Sequence, residues 1–415
     1  MIKRLLLEEL KSHLAAKEMS LIVGARQVGK TTLMKELVAF LAAKGERSLF
    51  LNLDYDSDQP HFASQDALID KLRLELPEGG YVFIDEIQRK EDAGLFLKGV
   101  YDRGLDYKFI VSGSGSLELK EKIHESLAGR KRLFELGPVS FLEFVDYKTS
   151  YRYGGEISAF LDLEKEKGER FLLEYMGYGG YPRVVVEESH REKQLIVGEI
   201  LGSYLERDIA CLLNVDKTEA FSKMLRLLAA QSGRLLNQSN LAALSGVSVP
   251  TLGNYLWYAE KTFIVKRVAP YFTNKVKEIT KSTNVYFNDL GLRNYLLGVF
   301  GNLANPNDMG FVFQNLVFNI LRQKTIHTPF FVNFWRTINK AEVDFVIDRG
   351  SDLLPIEVKF SSLRGPVLSK SFRSFIDKYN PPRALLISLD YEDRVRLGDT
   401  EVEFIPFRKF VFRDL

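Results

Sequence analysis

A glycine-rich stretch near the start of the sequence has residue types suited to holding phosphate. Gly24-Ala25-Arg26-Gln27-Val28-Gly29-Lys30-Thr31 follows the apolar run Ser20–Val23, and a helical pattern begins at Lys30. Glycines let backbone N–H groups curl round an anion, a lysine reaches the outer phosphates, and a threonine hydroxyl can bind Mg²⁺. The predicted nucleotide-binding residues are Gly24, Ala25, Arg26, Gln27, Val28, Gly29, Lys30, Thr31 and Thr32.

Two adjacent acids follow a second apolar run. Tyr81–Ile84 precedes Asp85 and Glu86. A buried strand would deliver Asp85, together with Thr31, to a metal ion beside the phosphates. Glu86 would then orient or deprotonate the attacking water.

Further polar residues could complete this catalytic site. Phe109–Ser112 ends in a Ser/Gly segment, in which we favour Ser114 over Ser112 for contact with the γ-phosphate or the water. Arg130 could stabilise phosphoryl charge within the chain or across a subunit boundary, and Arg26 is a second candidate. A solvated basic turn is the alternative interpretation of Arg130.

A second group of chemically suited residues lies near the C-terminal end of the sequence. Asp344 lies in one apolar run, and Glu357 and Lys359 alternate in another. Alternate residues of a strand project from the same face, so Glu357 and Lys359 would point the same way, with Asp344 on a neighbouring strand. Asp344 and Glu357 could hold Mg²⁺, and Lys359 could help to activate a water against a phosphodiester. An exposed Glu/Lys pair without function is the alternative.

The elements that position these residues suggest several domains. Strand-like and helical segments alternate over residues 1–150, which predicts a parallel sheet covered by helices. Residues 151–215 read as helical, with patterns at Ile157–Met176 and Glu192–Leu213. Residues 216–280 contain two short helices round a glycine turn and a β-like tail, and 281–415 return to mixed α/β. The predicted class is therefore α/β multidomain.

The first half resembles the AAA+ ATPases. The resemblance depends on the glycine-rich loop, Phe83-Ile84-Asp85-Glu86, Val111–Ser116 and Leu127–Arg132. Leu136–Phe144 narrows it to archaeal and bacterial ATPases with a C-terminal DUF4143 domain, supported by sequence segments further along the chain. These are Gly179-Gly180-Tyr181-Pro182, Tyr204-Leu205-Glu206-Arg207-Asp208 and Tyr286-Phe287-Asn288-Asp289-Leu290-Gly291-Leu292. The resemblance implies ATP and Mg²⁺ as cofactors, and many AAA+ relatives need a neighbour's arginine, so a homo-oligomer is possible.

The middle region has the pattern of a winged helix. Asn237–Ser248 predicts a capped helix and a glycine turn, and Val249–Trp257 begins a second helix. Thr251, Asn254 and Tyr255 could contact bases, while phosphate contacts would need the nearby cations Lys261, Lys266, Arg267, Lys275, Lys277 and Lys281. The alternative is a unit that only packs two domains together.

The C-terminal domain resembles the PD-(D/E)xK nuclease core through Asp344, Glu357 and Lys359. Nucleases of this type often have an acid on the first core helix, where this sequence has Gln314. A neutral amide binds metal less strongly, so a nuclease fold used only for binding is the alternative to an active nuclease.

Composition excludes several other classes of protein. The chain has 415 residues, a net charge of +2 and one cysteine, Cys211, so a histone-like coat protein, an internal disulfide framework and a cysteine-rich zinc site are excluded. The histidines show no metal-binding spacing. No apolar run is long enough for a membrane span, and the first residues do not form a signal peptide, which predicts a cytoplasmic protein without a membrane partner.

The sequence thus predicts an Mg²⁺-dependent ATPase whose nucleotide state controls the binding or processing of nucleic acid, DNA in preference to RNA. The alternative is a nucleotide-gated switch that binds DNA or a protein partner through a catalytically inactive nuclease-like domain. In a third interpretation, ATP turns over slowly and mainly orders the domains.

Overall fold

The computed structural model describes residues 1–114, 127–209, 218–273, 282–303 and 305–415. The strands are β1 (Met19–Gly24), β2 (Ser48–Asn52), β3 (Gly80–Asp85), β4 (Tyr107–Ser114), β5 (Lys131–Glu135), β6 (Val265–Val268), β7 (Asn284–Phe287), β8 (Phe331–Arg336), β9 (Glu342–Asp348), β10 (Leu353–Val358), β11 (Arg383–Ser388), β12 (Asp393–Leu397) and β13 (Thr400–Pro406). The helices are α1 (Leu6–Ser12), α2 (Lys30–Ala43), α3 (Gln65–Glu75), α4 (Ala93–Asp102), α5 (Phe141–Lys148), α6 (Ile157–Leu163), α7 (Lys165–Tyr178), α8 (Pro182–Val186), α9 (His190–Tyr204), α10 (Thr218–Ala230), α11 (Gln238–Ser245), α12 (Val249–Lys261), α13 (Leu290–Leu296), α14 (Pro306–Thr325), α15 (Lys370–Tyr379) and α16 (Phe407–Phe410).

The first sheet has five parallel strands in the order β2-β3-β4-β1-β5. Every residue of β1 is buried, as expected of a central parallel strand covered on both faces. In a parallel sheet the carboxyl ends of the strands meet at one edge, so the loops after β1 and β3 are brought together there. The predicted α/β class with a parallel sheet is confirmed.

The following helices form a layer against this sheet and the rest of the chain. The predicted helix over Ile157–Met176 is interrupted at Glu164, whose backbone leaves the helical region between α6 and α7. The helix predicted over Glu192–Leu213 corresponds to α9 and a π turn, Leu205–Ile209, and residues 210–217 lie outside the described part, Cys211 among them.

A buried carboxyl group fastens the turn after α7. Asp289 is the N-cap of α13 and accepts hydrogen bonds from the backbone N–H groups of Leu292 and Gly180, both at 2.7 Å. Gly179 has φ +76°, and a Cβ there would lie 2.4 Å from the backbone nitrogen of Gly291. The turn before α8 is therefore held by a residue more than 100 positions later in the chain.

The middle unit has three helices, α10 to α12, followed by the antiparallel pair β6 and β7. The boundary expected between residues 280 and 281 falls between these two paired strands, so Asn284–Phe287 belong to the middle unit. Residues 274–281, and with them Lys275, Lys277 and Lys281, lie outside the described residues.

The C-terminal unit is built on a six-stranded mixed sheet in the order β12-β13-β11-β10-β9-β8. The β8–β9 and β9–β10 pairs are antiparallel, whereas β10–β11 and β11–β13 are parallel. The sequence missed β12 and β13. The long helix α14 packs on this sheet through Phe313 and Phe318, which are fully buried.

The C-terminal unit shares one apolar core with the first half of the chain. Phe407 of α16 packs on Phe141 of α5, with ring centroids 5.3 Å apart, and on Phe313 of α14, at 5.1 Å. Tyr175 of α7 joins the cluster against Phe141 at 5.6 Å. No helix in the described part of the chain is long and apolar enough to cross a membrane.

Candidate nucleotide-binding site

The glycine-rich loop joins β1 to α2 at the carboxyl edge of the first sheet. A Cβ on Gly24 would lie 2.1 Å from the carbonyl oxygen of Leu136, so no larger residue fits without movement of the backbone. Gly29 has φ +98°, in the region that favours glycine, and caps α2. Backbone N–H groups at the start of α2 are thus available to an anion, as the sequence predicts.

Lys30 lies inside the loop. Its side chain is buried, and its Nζ donates to the carbonyl oxygens of Gly24 at 3.1 Å and Ala25 at 2.8 Å. The ammonium group therefore lies within the curve of the loop, where phosphate oxygens would need a positive charge.

Asp85 is the centre of a hydrogen-bonded group at the same edge. It is fully buried, and its Oδ2 accepts from Thr31 Oγ1 at 2.6 Å. Its Oδ1 accepts from the Glu86 N–H at 3.1 Å and from the Ser112 hydroxyl. Thr31 and Asp85 thus meet, and both offer oxygen atoms of the kind that Mg²⁺ prefers.

Glu86 begins a turn of 3₁₀ helix at Ile87–Arg89. Its backbone is left-handed, with φ 58°, which is unfavourable for a residue with a Cβ and is found often at functional sites. The side-chain amide of Gln88 donates to its carboxylate. This contact restrains the Glu86 carboxylate.

The serine in contact with Asp85 is Ser112. Ser112 is fully buried in β4, and the sequence analysis ranked it second to Ser114. Ser114 ends β4, and its side chain lies outside the described part, so its expected role stays a prediction.

Arg130 lies at the opposite end of the sheet from the glycine-rich loop. It precedes β5, whose Lys131 pairs with Met19 at the start of β1, about 16 Å of strand from Gly24. Its guanidinium is ion-paired to Asp102, with Nε 2.6 Å from Oδ1. The strand register places Arg130 far from the loop of its own chain, so the two interpretations that remain are a role across a subunit boundary and a solvated basic turn. Arg26 is part of the loop and remains a candidate.

Two arginines that the sequence analysis missed contact the loop. Arg4 is buried and donates through Nη1 to the carbonyl oxygen of Val28 at 2.8 Å. Arg183, in α8, donates to Oε1 of Gln27 at 3.2 Å and pairs with Glu199 at 2.9 Å. In the sequence, the one feature that points to Arg183 is its position directly after Gly179–Pro182. No sequence feature near Arg4 points to a contact with the loop.

A second set of predicted residues comes together in the C-terminal unit. Asp344 Oδ1 accepts from the Gln314 amide at 2.9 Å, and its Oδ2 accepts from the Val358 N–H at 2.7 Å. Glu357 pairs with Lys359 at 2.7 Å and accepts from Ser369 at 2.9 Å. Gln314, on α14, thus contacts Asp344 through a neutral amide.

Burial and charge set the protonation of this second group. Burial raises the pKa of Asp344 to about 7, with the charge of Glu357 adding to the effect. Burial alone would lower the pKa of Lys359, but the nearby Glu357 carboxylate raises it overall. Among the described residues no group of three or more His, Cys, Asp or Glu side chains is placed to hold a metal ion.

The parallel sheet and the glycine-rich loop have the arrangement of a P-loop domain, and comparison with family models agrees. Residues 16–145 match an AAA domain, 169–303 match the domain of unknown function DUF8612, and 309–410 match the domain of unknown function DUF4143. The chain carries an AAA domain and a C-terminal DUF4143 domain, as the resemblance predicted.

Related sequences span nearly the whole chain. An uncharacterized protein of Mycobacterium tuberculosis is 28% identical over 386 residues, which cover 92% of this chain and 78% of the relative. An uncharacterized protein of Haemophilus influenzae is 24% identical over 394 residues, covering 92% of each. One from Methanocaldococcus jannaschii is 24% identical over 422 residues, covering 97% and 90%.

Several solved structures are similar at low scores. The Aeropyrum pernix ORC1 protein in complex with DNA has a TM-score of 0.29 and 12% identity, covering 70% of this chain and 90% of that one. AMPPCP-bound DnaA of Aquifex aeolicus has a TM-score of 0.29 and 15% identity, covering 62% and 87%. At these scores the likeness supports no functional inference.

Proposed function

We propose that the chain binds ATP with Mg²⁺ and hydrolyses it. The observation that supports this most is the meeting of Thr31, Asp85 and Ser112 beside the buried Lys30 at one sheet edge. The chemistry that Mg²⁺ supplies when bound is neutralisation of phosphate charge. Thr31 and Asp85 would hold the ion, since both contribute oxygen atoms at this position.

The protein groups have separate roles in this proposal. The N–H groups of Gly24 to Thr32 and Lys30 bind and orient the phosphates. Glu86 positions the attacking water and accepts its proton. Arg130, which lies too far from its own loop, would act on the nucleotide of a neighbouring subunit, so a homo-oligomer remains part of the proposal.

Point variants test the ATPase. Lys30→Ala should remove ATP binding and turnover, while Glu86→Gln should keep binding and lower turnover about 100-fold or more. Lys35→Ala, on the exposed face of α2, and Glu78→Gln, before β3, are matched controls that should behave as the native protein. Turnover that survives in Lys30→Ala, or a failure of the native protein to bind ATP, would overturn the proposal.

We further propose that the nucleotide state controls nucleic-acid binding by the other two units. The middle unit, interpreted as a winged helix, and the C-terminal unit both contact the AAA domain. Arg322 of α14 is ion-paired to Glu135, whose strand neighbour Val23 directly precedes the loop. The same helix carries Gln314, which binds Asp344. One rigid element thus connects the two candidate sites.

Whether the C-terminal unit cleaves DNA separates the two candidate functions. Asp344, Glu357 and Lys359 lie together, which supports processing by a nuclease-like domain. The Gln314 amide bound to Asp344 supports the alternative, a nucleotide-gated switch with an inactive domain, because an amide replaces the third carboxylate. We favour DNA over RNA as the partner and Mg²⁺ as the ion that Asp344 and Glu357 would hold.

A paired assay decides between the two. Plasmid, linear and branched DNA are incubated with Mg²⁺ or Mn²⁺, with and without ATP, and binding is followed on the same samples. Cleavage that is lost in Lys359→Ala, but kept in the control Lys370→Ala, supports processing. Nucleotide-dependent binding without cleavage supports the switch, and the absence of both would overturn the proposed link to nucleic acid.

A further inference from the structure

A cavity lies against the face of α2 beside the glycine-rich loop. Its volume is about 210 Å³, smaller than a typical drug-sized pocket, and it opens next to Gly29 and Thr32. Apolar side chains form most of its wall: Ile2, Val28, Leu33, Pro182 and Val186. A flat, largely apolar ring system bound here would continue directly from phosphates held by the loop.

The cavity contains a single unsatisfied acidic acceptor within the described part of the chain. Glu36 lines it, is half-buried, and accepts no hydrogen bond from the protein. Arg4 is engaged by main-chain carbonyl oxygens and by Glu143, and Arg183 by Gln27 and Glu199. The N-terminal ammonium of Met1, which also lines the cavity, acts on Glu36 through its charge. Burial raises the pKa of Glu36, against the opposing charges of the Met1 ammonium, Arg4 and Lys11.

The spacing along α2 matches the length of a nucleoside. Thr32 and Glu36 are four residues apart and share one face of the helix. Glu36 lies seven residues beyond Gly29, about 10 Å along the helix axis. A ribose and its base span this order of distance from a phosphate at the loop.

We infer that Glu36 reads the base of the bound nucleotide by accepting a hydrogen bond from the exocyclic amino group of adenine. The inference rests on the proposed ATP binding and adds a residue that determines base specificity. Guanine has a carbonyl oxygen at the corresponding ring position, and two acceptors would then face each other. A base without the amino group would leave the half-buried Glu36 carboxylate without this hydrogen-bond donor.

A thermodynamic cycle tests this contact. The native protein and Glu36→Ala are each titrated with ATP and with purine riboside triphosphate, which lacks only the amino group, by displacement of a ribose-labelled fluorescent nucleotide. We expect native protein to bind ATP about tenfold more tightly than the analogue, and Glu36→Ala to bind both equally. Glu46→Ala, an exposed acid beyond the end of α2, should keep the native preference.

Each outcome has a distinct meaning. If the native protein and Glu36→Ala show the same preference for ATP, the role of Glu36 is overturned. Removing the amino group from the base and removing the Glu36 carboxylate would then have independent effects. Weakened ATP binding with the preference intact would make Glu36 a structural residue only. If neither nucleotide binds the native protein, the proposed ATP function fails, and not merely this contact.

Discussion

Asp85 shows how a buried acid depends on the hydroxyl groups around it. Its carboxylate accepts from Thr31, Ser112 and the Glu86 N–H, and it has no exposure to solvent. Each of these donors fixes the orientation of the carboxylate. The protein therefore holds a candidate metal-binding oxygen in place through two side-chain hydroxyl groups, on α2 and β4, and one backbone N–H group.

At this scale we predict that Ser112→Ala impairs turnover more than Ser114→Ala. Loss of the Ser112 donor should cost about 1 kcal/mol of stability and lower kcat about tenfold, with a small change in ATP affinity. Steady-state kinetics and thermal melting measure both effects. If kcat falls further in Ser114→Ala than in Ser112→Ala, this prediction is wrong and the preference for Ser114 in the sequence analysis is supported.

Asp289 gives a prediction about pH. Burial raises its pKa from 3.8 to about 6, against the effect of the N–H groups that it accepts from. The folded state therefore holds the proton more tightly than the unfolded state, and stability is highest below pH 4 and falls as pH rises through 6. The shift corresponds to about 3 kcal/mol.

The measurement compares native protein with Asp289→Asn, which cannot titrate. The variant should melt at a lower temperature throughout, because its amide N–H₂ faces backbone donors. The difference in melting temperature should be largest near pH 4.5 and should narrow towards pH 7. A difference that stays constant over this range would contradict the raised pKa.

The site residues that the sequence analysis identified share one property. Each lies in a short segment that can be recognised without knowing how the chain folds. Lys30, Thr31 and Asp85 follow strands or begin helices that apolar periodicity makes visible. Arg4 and Glu36 could not be found in this way, because their roles depend on which distant segments pack beside them. Arg130 was misplaced for the within-chain role because the sequence does not say which end of the sheet it would meet.

At the scale of elements, α14 is the main link between the two candidate sites. Its 20 residues run about 30 Å, with Gln314 at one site and Arg322 at Glu135 near the other. A rigid helix transmits a displacement at one end to the other.

We predict that Arg322→Met disconnects the sites. In the native protein, ATP should slow hydrogen exchange in α14 and β9, and this slowing should be lost in the variant while ATP turnover changes less than about threefold. Arg413→Met, which removes a similarly buried ion pair with Glu403 of β13, is the control. Nucleotide-dependent protection that persists in Arg322→Met would assign the coupling to another contact.

The middle unit is less suited to DNA than its sequence suggests. Tyr255, a candidate base contact, is buried in α12 with 1% exposure. Glu260 pairs with Lys266 at 3.0 Å and with Arg267 at 2.9 Å, so one acid neutralises two of the expected phosphate contacts. These contacts depend on folding and could not be inferred from a count of cations.

Glu260→Gln should therefore strengthen DNA binding. With Lys266 and Arg267 released, affinity at low salt should rise severalfold, and its dependence on salt should become steeper. Anisotropy titrations at several salt concentrations measure both, with Glu219→Gln as the control for an exposed acid. Equal affinity and slope in the two variants would mean that DNA does not contact this pair of cations.

At the scale of the whole molecule, the three units are not independent. The cluster of Phe141, Phe313 and Phe407 joins the AAA domain to the C-terminal unit, and Asp289 of the middle region holds the turn that brings Arg183 to the loop. The candidate nucleotide site is thus contacted by parts of the chain that follow the AAA domain.

This arrangement affects how the protein is made. A chain emerging from the ribosome presents the glycine-rich loop early, but the turn at Gly179–Gly180 is not fastened until Asp289 has been synthesised. Tyr175 covers part of the aromatic surface around Phe141 early, but the rest stays uncovered until Phe407 follows. During that interval the nascent chain exposes apolar rings to water, and these favour association with other proteins. Because Asp289 is synthesised before Phe407, the turn beside the glycine-rich loop would be fastened while this aromatic surface is still open.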